Sequence, residues 1–276
     1  MGGGDGQPVR DPLTGPVAAI DPELAHAVGV RVVDHDHLAG SDPAHTAVQT
    51  STIAALLDGA YDGEVTIGEL LAAGDLGLGT LDALDGELVI LDGEAWQCAA
   101  DGTVNAVAPE TTTPFAVVTR FAADEALEAP GPMDHARLMA LLEEHAPPTT
   151  GCDAIRIDGR FSRVHARSVQ RQEPPYPPLA EVADHQVEWT FENVEGTVVG
   201  FRFPRSAAGV EVPGHHLHFL AADRSCGGHV LECDLQAGTI QVEEVDGLRL
   251  ELPPGIELPR PGDADDETVR RVESGD

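Results

Sequence analysis

Two histidines one residue apart, followed by a third, are the residues of this chain best placed to bind a metal ion. His216 and His218 lie in the segment at residues 214–219, which reads GHHLHF, and His229 opens the next apolar run. Side chains of a strand alternate between its two faces, so His216 and His218 share one face while His215 points to the other. A neighbouring strand that starts at His229 can present a third imidazole to the same point. Three neutral imidazoles with an open coordination position are a recurring catalytic zinc arrangement, so the pattern indicates a metalloenzyme.

Two other classes of protein fit the same three histidines. A cupin-like oxygenase uses an HxH pair and a distant histidine, but it has a glutamate ligand soon after the pair, and none follows here within the next few positions. A non-catalytic metal-dependent binding module could also keep the histidines. Such a module would not need Glu87 and Arg167 to converge on the open metal position, so the placement of these two residues discriminates between the classes.

Glu87 and Arg167 are candidate site residues because each lies in an apolar strand pattern. Glu87 follows a turn-like Leu-Asp-Gly segment and opens an apolar run, where a carboxylate needs a cation or takes a raised pKa. Arg167 lies in the strand-like segment at residues 164–169. Its planar guanidinium can bind a substrate carboxylate through two parallel hydrogen bonds. Exposure at the strand end for Glu87 and an ordinary salt bridge for Arg167 are the alternative interpretations.

The composition excludes several kinds of partner. The chain has 276 residues and a formal net charge of -32, and all 16 basic residues are arginine. Such an acidic surface repels nucleic acids and anionic membranes.

The four cysteines show no CxxC spacing, which favours buried thiols, although Cys226 lies near His229. The sequence has neither an apolar stretch of about 18 to 20 residues nor a signal-like N-terminus, so we expect a soluble, cytoplasmic protein.

The sequence pattern predicts three parts and a sheet-dominated fold. Residues 1–46 form an acidic extension that contains glycine and proline and is predicted to be partly disordered, with the compact fold beginning near Val48. A proline-rich connector at residues 173–178 predicts a boundary between a sheet subdomain at 47–172 and a metal-binding sheet subdomain at 173–276. The predicted fold class is therefore α/β, more narrowly α+β. It comprises two mixed, mainly antiparallel sheets with few helices, and the metal site lies on the second sheet near the interface.

Local signals give more detail within these parts. A capping box at Thr66 and Glu69 predicts a short helix that stops at Gly74, and Asp134 is the predicted N-cap of a helix that ends at residue 145. The other predicted elements are short strands separated by turns. They are expected at residues 87–91, 95–99, 114–121, 153–157, 161–168, 186–191, 196–203, 215–220, 229–235, 239–244 and 248–252.

Several ordered segments of the chain closely resemble α-acetolactate decarboxylase. The similar segments are LLDGAYDG at 56–63, TIGELL at 66–71, GDLGLGT at 74–80, LDGEL at 84–88, TPFA at 113–116, GTVVGF at 196–201, PGHHLHFL at 213–220, DR at 223–224 and GGHV at 227–230. The resemblance covers about residues 48–252. The chain departs from the family in its acidic extension, its lack of lysine, and His215 in place of an expected tyrosine.

The resemblance implies an activity, a metal and a set of site residues. The implied reaction converts (S)-2-acetolactate, a 2-hydroxy-3-keto acid, to (R)-acetoin and CO2. The implied zinc ion is held by His216, His218 and His229 and chelates the substrate hydroxyl and carbonyl oxygens, while a glutamate delivers the proton. The implied active-site groups are Glu87, Thr80, Arg167 and a C-terminal glutamate that matches Glu273. The resemblance also implies a homodimer.

The dispersed acidic residues predict that the fold is stable only in high salt. At molar salt the Debye length falls to about 3 Å, so charge repulsion that would strain the fold in dilute buffer is screened. The expected result is a melting temperature that rises strongly from dilute buffer to molar salt. Equal melting temperatures in the two solutions, measured by circular dichroism, would contradict this prediction.

Overall fold

The computed structural model describes residues 20–33, 35, 38, 44–145, 151–259, 269 and 272. These residues contain five α-helices, all short, and two large β-sheets. The helices are α1 (Pro22–Ala27), α2 (Ile53–Leu57), α3 (Ile67–Ala73), α4 (His135–His145) and α5 (Leu179–Ala183). None of the described helices is long and apolar enough to span a membrane. The predicted α+β class, with mainly antiparallel sheets and few helices, is confirmed.

The first sheet has eight strands and collects segments from both ends of the described chain. Its strands are β1 (Gly29–Val33), β2 (Thr46–Thr50), β4 (Leu76–Thr80), β5 (Glu87–Leu91), β6 (Glu94–Cys98), β7 (Val104–Ala106), β9 (Ala116–Thr119) and β15 (Gly247–Glu251). Their order across the sheet is β1-β15-β2-β9-β4-β5-β6-β7. The pairs that β15 makes with β1 and β2 are parallel, and the remaining pairs are antiparallel. Two further short strands, β3 (Val65–Thr66) and β8 (Thr112–Thr113), pair with each other.

The second sheet has five strands, three of them unusually long. Its strands are β10 (Glu125–Glu128), β11 (Cys152–Ser168), β12 (Val187–Phe203), β13 (Gly214–Ala221) and β14 (Gly227–Val245). Their order is β10-β14-β11-β12-β13, and β13 also pairs with β14. The four strands β11 to β14 therefore form a closed circuit of antiparallel pairs, which curls the sheet and brings the start of β14 beside β13.

The two sheets pack face to face through an apolar layer. Val89 and Leu91 of β5 belong to the same buried cluster as Val199 and Phe201 of β12. Leu88 and Ile90, on the alternate face of β5, belong to a separate cluster with residues of α3. Because side chains alternate along a strand, Glu87 continues the row of Val89 and Leu91 and faces the second sheet.

The predicted helix caps are confirmed. The Thr66 side chain accepts a hydrogen bond from the Glu69 backbone, and the Glu69 carboxylate accepts one from the Thr66 backbone, which makes a complete capping box for α3. At α4, the Asp134 carboxylate accepts a hydrogen bond of 2.9 Å from the Arg137 backbone N–H. The helix itself spans His135–His145 and buries a face of leucines as expected.

The predicted turns inside the second sheet were wrong. The segments predicted as pairs of strands at 153–168, 186–203 and 229–244 are single strands of 17, 17 and 19 residues. Gly159 pairs with Gly196 on one side and with Gly238 on the other, so three glycines cross the sheet in one row. A Cβ at Gly159 would lie 2.6 Å from the Ala237 carbonyl oxygen. These glycines permit close approach of neighbouring backbones within the sheet, and they do not mark turns.

Part of the predicted N-terminal extension is regular structure. Helix α1 buries Leu24 completely, and β1 adds a parallel edge strand to the first sheet. The sheets also exchange segments across the predicted boundary at residue 173, because β11 precedes it but lies in the second sheet, while β15 follows it but lies in the first. Strand pairing therefore does not follow that boundary, and the division into separate units stays a prediction.

The cysteines behave as the sequence suggested. Cys98, Cys152 and Cys233 are buried, Cys226 is half-buried, and all four thiols are free. Burial raises the pKa of the Cys233 thiol to about 12, so this sulfur stays protonated. These thiols therefore contribute as small apolar groups of the core.

Gly227 is predicted to be essential for the close packing of the two sheets. A Cβ there would lie 2.5 Å from the Phe219 carbonyl oxygen and 2.6 Å from the Cys98 sulfur of the first sheet. Gly227→Ala should therefore destabilise the protein by about 1–3 kcal/mol, the usual cost of overpacking. In the control Gly29→Ala, the new Cβ would meet its nearest neighbour, the Asp246 carbonyl oxygen, at 3.5 Å. Equal unfolding free energies for the two variants, measured by denaturant titration, would contradict the prediction.

Candidate metal centre and active site

Strand register places three of the predicted residues in one row across the second sheet. His218 of β13 pairs directly with His229 of β14, and His229 pairs in turn with Arg167 of β11. Directly opposed residues in a sheet project to the same face. A register shift in β11 between His165 and Ala166 opposite β14 sets the final alignment of Arg167 with His229.

The three predicted ligand histidines form a compact buried group. His216, His218 and His229 are 5%, 0% and 2% exposed, and one nitrogen from each lies within 4.8 Å of the others. The ring centroids are 5.2 to 5.3 Å apart. Cys226 is not part of this group. His215 projects to the other face of β13, as predicted, where its Nε2 lies 3.7 Å from a carboxylate oxygen of Glu143.

A backbone carbonyl of the first sheet orients His218. Its Nδ1 lies 2.8 Å from the Leu88 carbonyl oxygen, which can only accept, so Nδ1 carries the proton and Nε2 carries the lone pair. Burial, and then the neighbouring His216, lower the pKa of His218 well below its ordinary value, which makes the imidazole neutral. A neutral imidazole with an oriented lone pair is the form that binds a metal.

The donor set fits a zinc ion. Among the residues that the structure describes, no hydrogen-bond partner reaches Nε2 of His218, although this atom is buried. A buried nitrogen lone pair without a donor costs free energy, and a metal ion can satisfy it. Three imidazole ligands with space on one side match catalytic zinc sites. His216, His218 and His229 would therefore hold the ion.

Glu87 and Arg167 converge beside the histidines from opposite sheets. Nη1 of Arg167 donates a hydrogen bond of 2.9 Å to Oε1 of Glu87, and Oε2 of Glu87 lies 3.6 Å from Nε2 of His218. Both side chains are buried, with exposed fractions of 6% for Arg167 and 8% for Glu87. The structure thus brings together the two residues whose convergence distinguishes an enzyme from a simple metal-binding module.

Two hydrogen bonds between the sheets fix these groups in place. One is the contact of His218 with Leu88, the residue that follows Glu87. In the other, Ser168 Oγ, next to Arg167, donates a hydrogen bond of 2.8 Å to the carbonyl oxygen of Cys98. Cys98 is the cross-strand neighbour of Glu87 in the first sheet. Each of the two charged residues is therefore held within one position of a contact between the sheets.

Thr80 lies next to Glu87 but its hydroxyl proton is engaged. Thr80 and Glu87 are cross-strand neighbours of β4 and β5. Thr80 Oγ1 donates a hydrogen bond of 2.8 Å to the carbonyl oxygen of Gly86, which lies in a turn with φ of +82°. This bond holds the backbone that immediately precedes Glu87. The Thr80 oxygen can still accept a hydrogen bond from a ligand.

A cavity of about 400 Å³, part of it open to solvent, joins these groups. Its polar wall contains Thr80, Glu87, Arg167, His216 and His229. Its apolar wall consists of Ile53, Leu56, Leu84, Phe115, Val169 and Leu179. A cavity with one apolar wall and a few convergent polar groups suits a small molecule that carries both alkyl groups and oxygens.

Glu273 lies outside the described residues. Val269 and Val272, which precede it, are buried in the same apolar cluster as Ile53 and Phe115 of the cavity wall.

Sequence reasoning missed the Leu88 carbonyl and Glu211, whose Oε1 lies 3.8 Å from Nδ1 of His216. No sequence signal marks a backbone carbonyl, and Glu211 is one of 48 acidic residues in the chain.

Comparisons with known proteins identify the family to which this chain belongs. The family model for alpha-acetolactate decarboxylase matches residues 48–257. The chain is 43% identical over 209 residues to the alpha-acetolactate decarboxylase of Methylococcus capsulatus, which covers 76% of this chain and 80% of that protein. It is 45% identical over 205 residues to that of Methanosarcina mazei, covering 74% and 71% of the two chains.

A solved structure supports the same relationship. The crystal structure of alpha-acetolactate decarboxylase from Bacillus subtilis aligns with a TM-score of 0.78 and 35% sequence identity. The alignment covers 83% of this chain and 99% of that one. The chain belongs to the α-acetolactate decarboxylase family.

Proposed function

We propose that this chain converts (S)-2-acetolactate to (R)-acetoin and CO2 with a zinc ion held by His216, His218 and His229. The observation that carries the proposal is the convergence of three buried imidazoles with Glu87 and Arg167, all of which except His218 line one cavity. Membership in the family supports the substrate and the reaction.

The reaction needs stabilisation of negative charge. Loss of CO2 leaves an electron pair on the carbon next to the ketone, and the ketone oxygen takes up this charge as the enediolate forms. When bound, a zinc ion supplies Lewis-acid stabilisation of that charge, worth on the order of several kcal/mol.

Arg167 is suited to hold the substrate carboxylate. Its Nε is buried and has no hydrogen-bond partner among the residues described. A buried donor without an acceptor costs about 1–3 kcal/mol, and an oxygen of the substrate carboxylate can satisfy it. The contact of Nη1 with Glu87 keeps the guanidinium in place while Nε binds the substrate. Arg167 thereby orients the bond to the departing CO2.

Glu87 is suited to deliver the proton that the reaction consumes. Its carboxylate, ion-paired with Arg167 at rest, takes this proton up from solvent through the open part of the cavity and then gives it to the reacting carbon. After CO2 leaves, the reacting carbon is planar and can accept a proton on either face. Glu87 lies in the wall of the cavity, so its carboxyl group can reach only one face and gives one configuration of acetoin. The adjacent apolar wall carries no acidic group that could protonate the carbon from its own side.

The arrangement favours a decarboxylase over the other two classes. A binding module needs no buried ion pair beside its metal, yet Glu87 and Arg167 form one. The family match gives no support for a cupin-like oxygenase. Zinc as the metal, the homodimer, the cytoplasmic location, the salt-adapted surface and the participation of Glu273 are parts of the same proposal that rest on the sequence and the resemblance.

His218→Ala is expected to remove zinc and activity together, because His218 supplies one of the three imidazoles of the group and is fully buried. The matched control is His215→Ala, one of the other histidines of β13, which projects to the opposite face of that strand. Zinc content would be measured by mass spectrometry after gel filtration, and acetoin by a colorimetric assay, both in molar salt. Full zinc content in His218→Ala would contradict the proposed ligand set.

Glu87→Gln is expected to keep zinc and lower kcat by about 10²- to 10⁴-fold, the usual contribution of a proton-transfer group. The amide oxygen can still accept the hydrogen bond of Arg167, so the loss would reflect the missing proton. Glu94→Gln, an exposed position on the neighbouring strand, is the control and should keep its full activity. Wild-type turnover by Glu87→Gln would exclude the proton-transfer role.

A further inference from the structure

Glu211 is a fully buried carboxylate just before the strand that carries His216 and His218. Its side chain is 0% exposed. The backbone N–H of Val212 donates a hydrogen bond of 2.8 Å to Oε2, which fixes the orientation of the carboxylate. The other oxygen, Oε1, lies 3.8 Å from Nδ1 of His216. The carboxylate is therefore held by its own backbone with one oxygen directed at a proposed metal ligand.

The backbone that immediately precedes Glu211 is fixed to the first sheet and to the residues that follow its strand β2. The buried Gln49 of β2 donates through Nε2 to the carbonyl oxygens of Val210, at 2.8 Å, and Ser51, at 2.9 Å. The N–H of Ile53 also donates to Val210, at 3.1 Å. Glu211 itself donates its N–H to the carbonyl oxygen of Ala207 at 2.9 Å. This segment is thus a rigid support beside the histidines.

A ligand imidazole needs an acceptor on the nitrogen that does not bind the metal. His218 has the Leu88 carbonyl oxygen as this acceptor. An imidazole that binds through Nε2 carries its proton on Nδ1, and a carboxylate that accepts this proton fixes the ring and makes it a stronger ligand. For His216, the group placed at Nδ1 is Glu211.

We propose that Glu211 is a positioning residue that accepts the Nδ1 proton of His216 and directs Nε2 toward the metal ion. The inference rests on the proposed zinc centre and adds a residue that the sequence motifs did not include. The 3.8 Å separation is longer than a hydrogen bond, so the proposal requires the contact to shorten when an ion is bound. The negative charge of Glu211 also compensates part of the positive charge of the bound ion.

The test compares zinc affinity with the stability of the metal-free protein. Glu211→Gln keeps an acceptor but loses the charge, and Glu211→Ala loses both. Outer carboxylate partners of ligand histidines typically contribute about 10- to 100-fold to metal affinity. We expect zinc affinity, measured by competition with a chromophoric chelator, to fall about tenfold in Glu211→Gln and up to about 100-fold in Glu211→Ala. The visible spectrum of the cobalt-substituted protein should change in both variants.

The matched control is Glu243→Gln. Glu243 is also a buried glutamate with 0% exposure, and its Oε1 lies 3.5 Å from Nδ1 of a histidine, His45, outside the site. This variant should keep the zinc affinity and the cobalt spectrum of the wild type. It separates the specific effect on His216 from the general effect of removing a buried carboxylate.

Each outcome distinguishes the two proposals. Zinc affinity and cobalt spectra equal to the wild type in Glu211→Gln or Glu211→Ala, with an unchanged melting temperature of the metal-free protein, would overturn the role of Glu211. If Glu211→Ala does not fold, Glu211→Gln decides in the same way. A wild-type protein that binds no zinc would instead overturn the proposed metal centre itself.

Discussion

The contact between the His218 imidazole and the Leu88 carbonyl oxygen couples the two sheets at the point where the site lies. It fixes the tautomer of a proposed metal ligand and, at the same time, the position of the strand that presents Glu87. A second hydrogen bond between the sheets, from Ser168 Oγ to the Cys98 carbonyl oxygen, fixes the position of the strand that presents Arg167. Because both contacts cross the interface, the site exists only when the sheets are correctly docked.

The site also depends on a balance of buried charge. Glu87 and Arg167 neutralise each other at 2.9 Å, and burying either one alone would leave an uncompensated charge. Glu211 adds a further carboxylate near His216. A divalent ion among the three histidines would place positive charge between these groups. The arrangement is therefore electrostatically complementary to a cation, although the chain as a whole carries a formal charge of -32.

Glycines have two different roles in this fold. Gly86 lies in a true turn with positive φ, and its carbonyl oxygen accepts the Thr80 hydrogen bond. Gly159, by contrast, lies inside a long strand, where it was expected to mark a turn. The same dipeptide, Asp-Gly, occurs in the turn at residues 85–86 and in the interior of a long strand at residues 158–159. The difference arises from the neighbours, since Gly159 is flanked across the sheet by Gly196 and Gly238.

The sequence by itself predicted the sheet-dominated class, the helix caps at Thr66 and Asp134, and the pairing of His216 with His218 on one strand face. These features follow from the periodicity of apolar residues and from local hydrogen bonds. Both are determined by residues that are close together in the sequence. The apolar strand patterns around Glu87 and Arg167 marked these residues as candidates, and the family resemblance supplied their expected roles.

Only the tertiary structure decided which groups meet. The exchange of β11 and β15 between the sheets, the alignment of Arg167 with His229, and the position of Glu211 all join residues far apart in sequence. Such contacts depend on strand register and on the docking of two sheets. These are properties of the packed chain as a whole, and no local pattern records them.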